Sequence, residues 1–476
     1  MSSSAQFTHL IIAVILLLVA ASYSTQASRA DESRRTRHGP SNMRDGFKGS
    51  SRRTSEDSGV IPKVMRAKSS LSRGSLTIMS TIWNYTKTRP INANFVASPF
   101  AMQAAILFRQ IGVRPIRYNV KEKQFMEFLG YDDTMSSPDL NYAMRKYLDT
   151  LAQHPSFSFG LMYISNAVLP INAKFIQEAE QYYPVEYDSH RATEDNDALP
   201  GLIRRVNLWG ADKTHNSIRQ VLSGIDITNN TYDYLLALGH FQGEWRRQFN
   251  TERTMPGTFF NNGNPAAGRS VPFMSNFGPD YRYLDSRDVD IRDLPYKRKL
   301  KKRRRTAPLY PCDCEMVALP FADMNFHLMI LMPAKVDGFA KLQAMPISML
   351  IEFFQKGQAK SMDLRLPKFS TSSAFWISDI FQPHGMDSTF RKDVRNIFRV
   401  REATGPGIET KLAHGNILSL PERGVNVPGQ SDYKKKYLKR PIDRNITVDR
   451  PFMFAIIYSD WNDIFVVTAG QITQLP

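Results

Sequence analysis

A long polar segment between two apolar runs near the C-terminus constrains the fold of this 476-residue chain more than any other feature. Within the stretch His414–Phe452, the apolar run Ile417–Leu420 precedes the segment and the apolar run Pro451–Ile457 follows it. The intervening residues, about 30 in number, have no helical or strand periodicity and contain several glycines, prolines and lysines. A connection of this length inside a compact domain is either functional or disordered.

The net charge of +17 is concentrated in three segments. Residues 28–73 carry a surplus of seven positive charges, residues 297–305 carry eight and residues 434–440 carry five, so the rest of the chain is close to neutral. Two interpretations remain open, namely solvated charge runs or attraction to polyanions such as glycosaminoglycans and anionic membranes. The densest segment supplies the candidate polyanion-binding residues Lys297, Arg298, Lys299, Lys301, Lys302, Arg303, Arg304 and Arg305.

The N-terminal residues have the pattern of a secretory signal peptide. Residues 1–27 contain no Asp, Glu, Lys or Arg, and Leu10–Ala21 is an apolar run of 12 residues, too short to span a bilayer. We therefore expect a signal peptide at 1–27 and a secreted, extracellular protein. Residues 28–68 are rich in Ser, Arg and Gly, which predicts a basic disordered extension before a folded domain at 69–476.

Three Asn-x-Thr sequons support secretion, because such triplets accept N-linked glycans in secreted proteins. Each triplet is a weak signal by itself, since short motifs also arise by chance. The predicted glycosylation sites are Asn84, Asn229 and Asn445.

Motifs that carry catalysis are missing from the sequence. It contains no nucleophile elbow, phosphate-binding loop or zinc-protease helix. Cys312 and Cys314 are the only cysteines, too few for a disulfide framework or a four-ligand zinc site. They are expected to stay unpaired, to form a local bridge or to link to another chain. We expect no enzymatic activity, catalytic residue, cofactor, metal, nucleic-acid partner or membrane span, and a monomeric protein.

The apolar patterns favour an α+β fold, because helical periodicity dominates the first half of the chain and strand patterns dominate the second. Ser98 is expected to cap a helix that has Pro99 in its first turn. Buried strands are predicted at Phe157–Leu169, Leu235–Phe241 and Phe326–Pro333.

Many short motifs in order along the chain resemble the serpin family, over about Ser69 to Pro476. The resemblance combines a helix signature, Asn-x-Trp-x4-Thr, with several strand ends and turns. The matching positions are Asn94, Ser98-Pro99, Asn166-Ala167, Asn207, Trp209, Thr214, Phe241, Gly243, Trp245, Leu319-Pro320-Phe321, Leu366-Pro367-Lys368-Phe369, Gly385-Met386, Pro451-Phe452 and Gly470-Gln471-Ile472.

The resemblance implies a fold of three β-sheets and eight to nine helices, with an exposed reactive loop at 424–450 and a basic insertion at 292–311. In inhibitory serpins a serine protease attacks this loop and forms an acyl-enzyme. The cleaved loop then inserts as a new strand into the central sheet and distorts the protease. The free energy that drives insertion is stored in the conformation of the uncleaved protein.

The start of the loop, called the hinge, departs from the pattern of inhibitory serpins. Glu422-Arg423-Gly424 matches, but the small and alanine-rich residues expected next are absent. Pro428 lacks the N–H that a central strand donates, whereas Val425, Val427 and Gly429 at the inward positions are compatible with insertion. The hinge residues are Glu422, Arg423, Gly424, Val425, Asn426, Val427 and Pro428.

Two further positions implied by the resemblance lie where the central sheet must open, Ser98 and His414. The family's usual polar partners are replaced by Ala101 and Ala237, so His414 is not expected to make the hydrogen bonds that those polar side chains would offer.

The resemblance places the reactive bond at Leu438–Lys439, with Arg440 as an alternative that Pro441 disfavours. Two functional hypotheses follow. In the first, the chain is a secreted serpin of the serine-type endopeptidase inhibitor class with weak or lost inhibition, acting by binding or as a decoy. In the second, it is a working suicide inhibitor of an extracellular chymotrypsin-like or trypsin-like protease. The expected partners are an extracellular serine protease and a sulfated polysaccharide.

Overall fold

The structure is a computed structural model, and it describes residues 57–87, 94–112, 126–131, 134–167, 171–190, 198–222, 233–288, 312–381, 410–423, 441–460 and 463–476. The α-helices among these residues are α1 (Asp57–Lys87), α2 (Pro99–Ile111), α3 (Ser137–Leu151), α4 (Ala173–Glu180), α5 (Ala198–Lys213), α6 (Phe339–Gln343), α7 (Met349–Lys356) and α8 (Ile377–Phe381).

The strands complete the mixed α+β architecture that the sequence predicts. They are β1 (Phe95–Ala97), β2 (Phe157–Asn166), β3 (Val185–His190), β4 (Asp233–Phe241), β5 (Met255–Phe260), β6 (Gly268–Asp285), β7 (Cys314–Pro320), β8 (Phe326–Pro333), β9 (Gln358–Pro367), β10 (Ser370–Trp376), β11 (Thr410–Ser419), β12 (Arg444–Thr447), β13 (Phe452–Ser459) and β14 (Ile464–Ile472).

The first sheet has five strands in the order β10-β11-β4-β2-β3. Its middle pair, β11 and β4, runs parallel, whereas β10 with β11 and β4 with β2 are antiparallel. A parallel pair needs a long crossover between its strands, and here the connection from β4 to β11 runs through most of the second sheet.

The second sheet follows the path β1-β14-β13-β8-β7-β6-β9-β12, with β5 paired to β6. The resemblance implies three sheets, whereas all described strands outside the first sheet form one hydrogen-bonded sheet of nine strands. The long strand β6 connects them, because it pairs with β5, β7 and β9. Its pairing with β9 shifts between Gly278 and Tyr281, and a bulge of this kind bends a strand and increases its twist. The last part of β6 then pairs with β7.

Helix α2 fills the space between the two sheets. Every residue from Pro99 to Ile111 is buried. Phe100 stacks on Phe465 of β14, with ring centroids 5.8 Å apart, and meets Phe157 of β2 edge to face at 5.9 Å. Ser98 caps the helix as predicted, since its hydroxyl accepts a hydrogen bond from the Ala101 N–H, and Pro99 occupies the first turn.

The folded part of the chain begins earlier than the sequence predicts. Helix α1 starts at Asp57, so residues 57–68 are helical although composition places them in the extension. Tertiary contacts account for the difference, because Ala67 is buried and Lys63 forms an ion pair with Asp139 at 2.9 Å. The composition of a short segment does not indicate its contacts with residues far along the chain.

The helix signature Asn-x-Trp-x4-Thr stabilises the end of α5. The side chain of Asn207 accepts hydrogen bonds from the N–H groups of Val221 and Leu222, at 2.7 and 3.0 Å. The Thr214 hydroxyl accepts one from the Ile218 N–H at 2.9 Å. Because these bonds pair backbone groups that follow the helix, the motif is structural.

No helix among the described residues is long and apolar enough to cross a membrane. Within the same residues, no three His, Cys, Asp or Glu side chains are grouped so that they could hold a metal ion.

Candidate functional site: the seam and the loop anchor

The central feature of the site is the boundary between β11 and β4, which we call the seam. The two strands pair at nine positions, from Thr410 opposite Asp233 to Leu418 opposite Phe241. No strand lies between them, so the sheet is in a five-stranded form. A further strand can enter here only after the hydrogen bonds across the seam have been broken.

His414 lies under the seam and joins three parts of the fold. Its Nε2 accepts a hydrogen bond from the Ser98 N–H at 2.9 Å, and its Nδ1 donates to the Ala237 carbonyl at 3.0 Å. An Nε2 that accepts must be unprotonated, so the ring is neutral and carries its proton on Nδ1. Burial, opposed only in part by the bond to Ala237, lowers the pKa of His414 to about 3.

The alanines at positions 101 and 237 do not leave His414 without hydrogen bonds. Although Ala101 and Ala237 lack polar side chains, backbone groups take over, and the Ala237 carbonyl accepts from the ring. Ser98 remains central, because its hydroxyl donates to the Val467 carbonyl at 2.7 Å. The imidazole therefore keeps two partners, and the alanine substitutions leave it fully satisfied.

The cap of α2 touches β4 directly because of a glycine. A Cβ atom placed on Gly239 would lie 2.5 Å from the Ser98 Cβ and 2.7 Å from its hydroxyl oxygen. A larger residue at Gly239 would push the cap of α2 away from the seam, so glycine allows Ser98 to approach both strands.

Asn416 is a residue of the seam that sequence reasoning missed. It is 1% exposed, and its amide nitrogen donates to the Thr468 hydroxyl at a long 3.4 Å. Its side-chain oxygen has no partner among the described residues. The sequence could have indicated Asn416, because it lies two residues after His414 in an apolar strand and side chains two residues apart share a face.

The chain that leaves β11 is held by a second group of residues, which we call the loop anchor: Trp245, Phe249, Thr254, Lys368 and Glu422. The indole N–H of Trp245 donates to the Pro421 carbonyl at 2.7 Å, and its backbone N–H donates to the Arg423 carbonyl at 3.1 Å. The Phe249 N–H donates to the Glu422 carbonyl at 3.1 Å. Three successive residues of the departing chain are thereby fixed.

The carboxylate of Glu422 makes the strongest contacts of the loop anchor. It accepts from the Lys368 ammonium and from the Thr254 hydroxyl, each at 2.8 Å. The hydrogen bond from Lys368, with that from Thr254, holds the pKa of this carboxyl below its ordinary value. Trp245 is kept in place by Phe321, whose ring stacks on it at 4.6 Å and 12°.

The loop rejoins the fold earlier than the predicted range of 424–450. Residues 444–447 form β12, which pairs in parallel with Met362–Arg365 of β9. Asp443 is also fixed, because its N–H donates to the Ser361 carbonyl and its carboxylate accepts from the Ser361 N–H. Of the residues between the loop anchor and β12, 441–443 are described and 424–440 lie outside the described residues.

The structure places the remaining predicted site residues as follows. Asn84 on α1 and Asn445 on β12 are exposed, as glycan acceptors must be. Outside the described residues lie Asn229, the hinge from Gly424 to Pro428, the reactive bond residues Leu438, Lys439 and Arg440, and the basic segment Lys297–Arg305.

A five-stranded sheet in which β11 and β4 run parallel, next to a nine-stranded sheet and with a long connection between β11 and β12, defines the class of fold. The family model for serpins (serine protease inhibitors) matches residues 81–303 and 301–474. The chain belongs to the serpin family of serine protease inhibitors, whose members are in general not enzymes.

Similar proteins include Ipis-1 of Ixodes persulcatus, 24% identical over 389 residues that cover 80% of this chain and 92% of that protein. Serine protease inhibitor 42Dd of Drosophila melanogaster is 21% identical over 381 residues, which cover 79% and 90%.

Among solved structures, uncleaved ovalbumin matches with a TM-score of 0.68 at 16% identity, over 85% of this chain and all of that one. Native protease nexin-1 with heparin gives 0.67 at 17% identity, over 86% and 100%. At these identities the structures support the fold alone.

Proposed function

We propose that this chain is a secreted serpin whose inhibition of serine endopeptidases is weak or lost, and that it acts by binding a protease or as a decoy substrate. The observation that supports this most is the pairing of β11 with β4 at nine positions across the seam. Insertion must replace these hydrogen bonds with new ones on both sides of the entering strand, and the hinge is poorly equipped to supply them.

The loop anchor fixes the point at which insertion would start. Because Pro421, Glu422 and Arg423 are hydrogen-bonded to Trp245 and Phe249, we expect an inserting strand to begin after Arg423. Pro428 then falls within the first few positions of the new strand.

Two residues of the entering strand oppose insertion. Pro428 offers no N–H to a neighbouring strand, and a buried acceptor left unpaired costs about 1–3 kcal/mol. If the inward register of Val425 and Val427 continues, Lys435 points under the sheet, where an unpaired charge costs several kcal/mol. Complete insertion is therefore disfavoured, and cleavage without trapping is the expected outcome.

A second candidate function is suicide inhibition of a chymotrypsin-like or trypsin-like protease, with Leu438 or Lys439 as bait and Arg440 as an alternative. The intact bonds of His414 favour it, because they preserve an ordered contact that can break and re-form when the sheet opens. Small or apolar residues at the inward positions Val425, Val427 and Gly429 favour it as well.

One experiment separates the two candidates. The purified chain is incubated with chymotrypsin-like, trypsin-like and subtilisin-like proteases, and the products are analysed in SDS and by thermal unfolding. Our proposal expects a cleaved loop, no SDS-stable complex and a melting temperature changed by less than about 5 °C. A covalent complex at near-unit stoichiometry would overturn it in favour of the second candidate.

The basic segment Lys297–Arg305 is proposed to bind sulfated polysaccharide. Eight cations in nine residues produce a dense local field, and a similar fold is known with heparin bound, in protease nexin-1. We expect the full chain to elute from heparin resin at higher salt than a variant that lacks 297–305. Equal elution would refute this partner.

A further inference from the structure

The two cysteines of the chain lie against each other in the core. Cys312 is 3% exposed and Cys314 is fully buried, and their Sγ atoms are 2.8 Å apart. This separation is below ordinary contact between two sulfur atoms and only about 0.8 Å above the length of a disulfide bond. The Cys312 sulfur also lies 3.6 Å from the sulfur of Met345, so the pair is enclosed by soft apolar atoms.

The local backbone brings the two thiols together. Cys314 begins β7 and Cys312 lies two residues before it, so both side chains project to the same face. The hydroxyl of Ser286 donates to the Cys312 carbonyl at 3.1 Å and accepts from the Cys314 N–H at 2.9 Å. One buried side chain thus fixes the backbone at both cysteines.

Two other uses of the thiols are disfavoured by their surroundings. A zinc ion needs four ligands, and among the described residues no third His, Cys, Asp or Glu completes a group with this pair. A link to a second chain needs an accessible sulfur, whereas both sulfurs are enclosed.

We propose that Cys312 and Cys314 are a modification site and form an intramolecular disulfide on oxidation by a small-molecule disulfide such as oxidised glutathione. The Cys312 thiolate attacks one sulfur of the oxidant and releases one thiol. The Cys314 thiol then loses its proton and attacks the Cys312 sulfur, which releases the second thiol. Two cysteine thiols are oxidised and one oxidant disulfide is reduced to two thiols.

The contact between the two thiols determines that Cys312 reacts before Cys314. The hydrogen-bonded contact with Cys314 holds the pKa of the Cys312 thiol below its ordinary value, and thiolates are the attacking species. Because the folded core encloses both sulfurs, exchange takes place at the end of folding, when the two thiols already touch and the oxidant can still reach them. The bridge closes a ring over Asp313, where the chain returns from 289–311 to β7, and so small a ring adds little stability through chain entropy.

The test is a thiol count on the full chain. The protein is folded with reduced and oxidised glutathione, denatured in guanidinium without reductant, treated with iodoacetamide and weighed intact. We expect no alkylation and a mass about 2 Da below that of the dithiol, followed by two alkylations after reduction. Two alkylations without reduction, or a covalent dimer, would overturn the proposal.

Three variants test the order of reaction and the role of Ser286. Cys314→Ser should retain one glutathione on Cys312, whereas Cys312→Ser should leave Cys314 largely unmodified. Ser286→Ala removes the hydroxyl that holds both backbones, so the oxidised fraction at a fixed glutathione ratio should fall several-fold. An unchanged fraction in Ser286→Ala would contradict the role of the backbone geometry.

Discussion

The ring of His414 accepts a hydrogen bond from the Ser98 N–H at 2.9 Å, although 316 residues separate the two positions in the chain. The bond links β11 to the start of α2, directly beneath the seam. It requires a neutral imidazole, and burial lowers the pKa of His414 to about 3. The protonation state of one side chain is therefore tied to the closure of the central sheet.

The free energy of unfolding should decrease as the pH is lowered, because of His414. Its pKa is lower in the folded chain than the ordinary value near 6.5, so the unfolded chain binds more protons between these values. The contribution is complete above about pH 7 and decreases as the pH falls toward 3, by up to about 1.4 kcal/mol per pH unit.

The matched variant is His414→Gln, whose amide can accept from Ser98 and donate to Ala237 without titrating. His240 and His327, with pKa values lowered to about 4 by burial, titrate in both proteins. The difference in unfolding free energy between the two proteins, measured in urea from pH 7.5 to pH 5, therefore isolates His414. A constant difference across this range would contradict the prediction.

Pro428→Ala should increase loop insertion. The substitution restores an N–H to the entering strand and removes the restriction on its backbone. After cleavage at Leu438–Lys439, we expect the melting temperature of the variant to rise by at least about 5 °C more than that of the unmodified chain. Pro441→Ala is the control, because residue 441 lies beyond the cleaved bond. An equal rise in both variants would show that Pro428 is not the obstacle.

Glu422→Gln should loosen the loop anchor. The variant loses the charge that pairs with Lys368, whose side chain is 45% exposed, so solvent screening limits the loss to about 0.5–1 kcal/mol. Limited proteolysis should cut the loop several-fold faster at low salt, with a smaller difference at high salt. Glu252→Gln, at an exposed neighbouring carboxylate, is the control. Equal proteolysis of the two variants would exclude the anchor's role.

The Asn416 and Thr468 pair should be a weak point of the seam. Replacing both with apolar residues, in Asn416→Leu with Thr468→Val, removes a buried acceptor that has no partner among the described residues. We expect the double variant to be more stable than the unmodified chain by about 1–2 kcal/mol in urea unfolding.

Thr468→Val alone is the informative comparison for that prediction. It removes the hydroxyl to which the Asn416 amide nitrogen donates, so it should destabilise the chain by about 1 kcal/mol. A single variant as stable as the double variant would mean that Asn416 finds other partners. In that case the seam has no polar weakness at this position.

The local elements could be predicted from the sequence because they depend on near neighbours. Ser98-Pro99 marks the start of α2, and the strands Asp233–Phe241 and Phe326–Pro333 lie where the apolar runs place them. The separate motifs together identify the family, and its family model matches residues 81–303 and 301–474.

Contacts between residues far apart in the chain could not be predicted from the sequence. The helical residues 57–68 depend on partners such as Asp139, and β12 falls within the range expected to be loop because β9 pairs with it. In both cases hydrogen bonds or ion pairs with remote segments outweigh local composition.

The sequence by itself determined the family and the order of the main elements, because these depend on residue types at fixed spacings. The position of the loop and its unusual hinge stay predictions from the sequence. Only the tertiary structure decided how the site is held. Backbone carbonyls and N–H groups satisfy His414 and the loop anchor, and every residue carries these groups whatever its side chain. Which of them come within reach of a given side chain is set by the packing of distant strands.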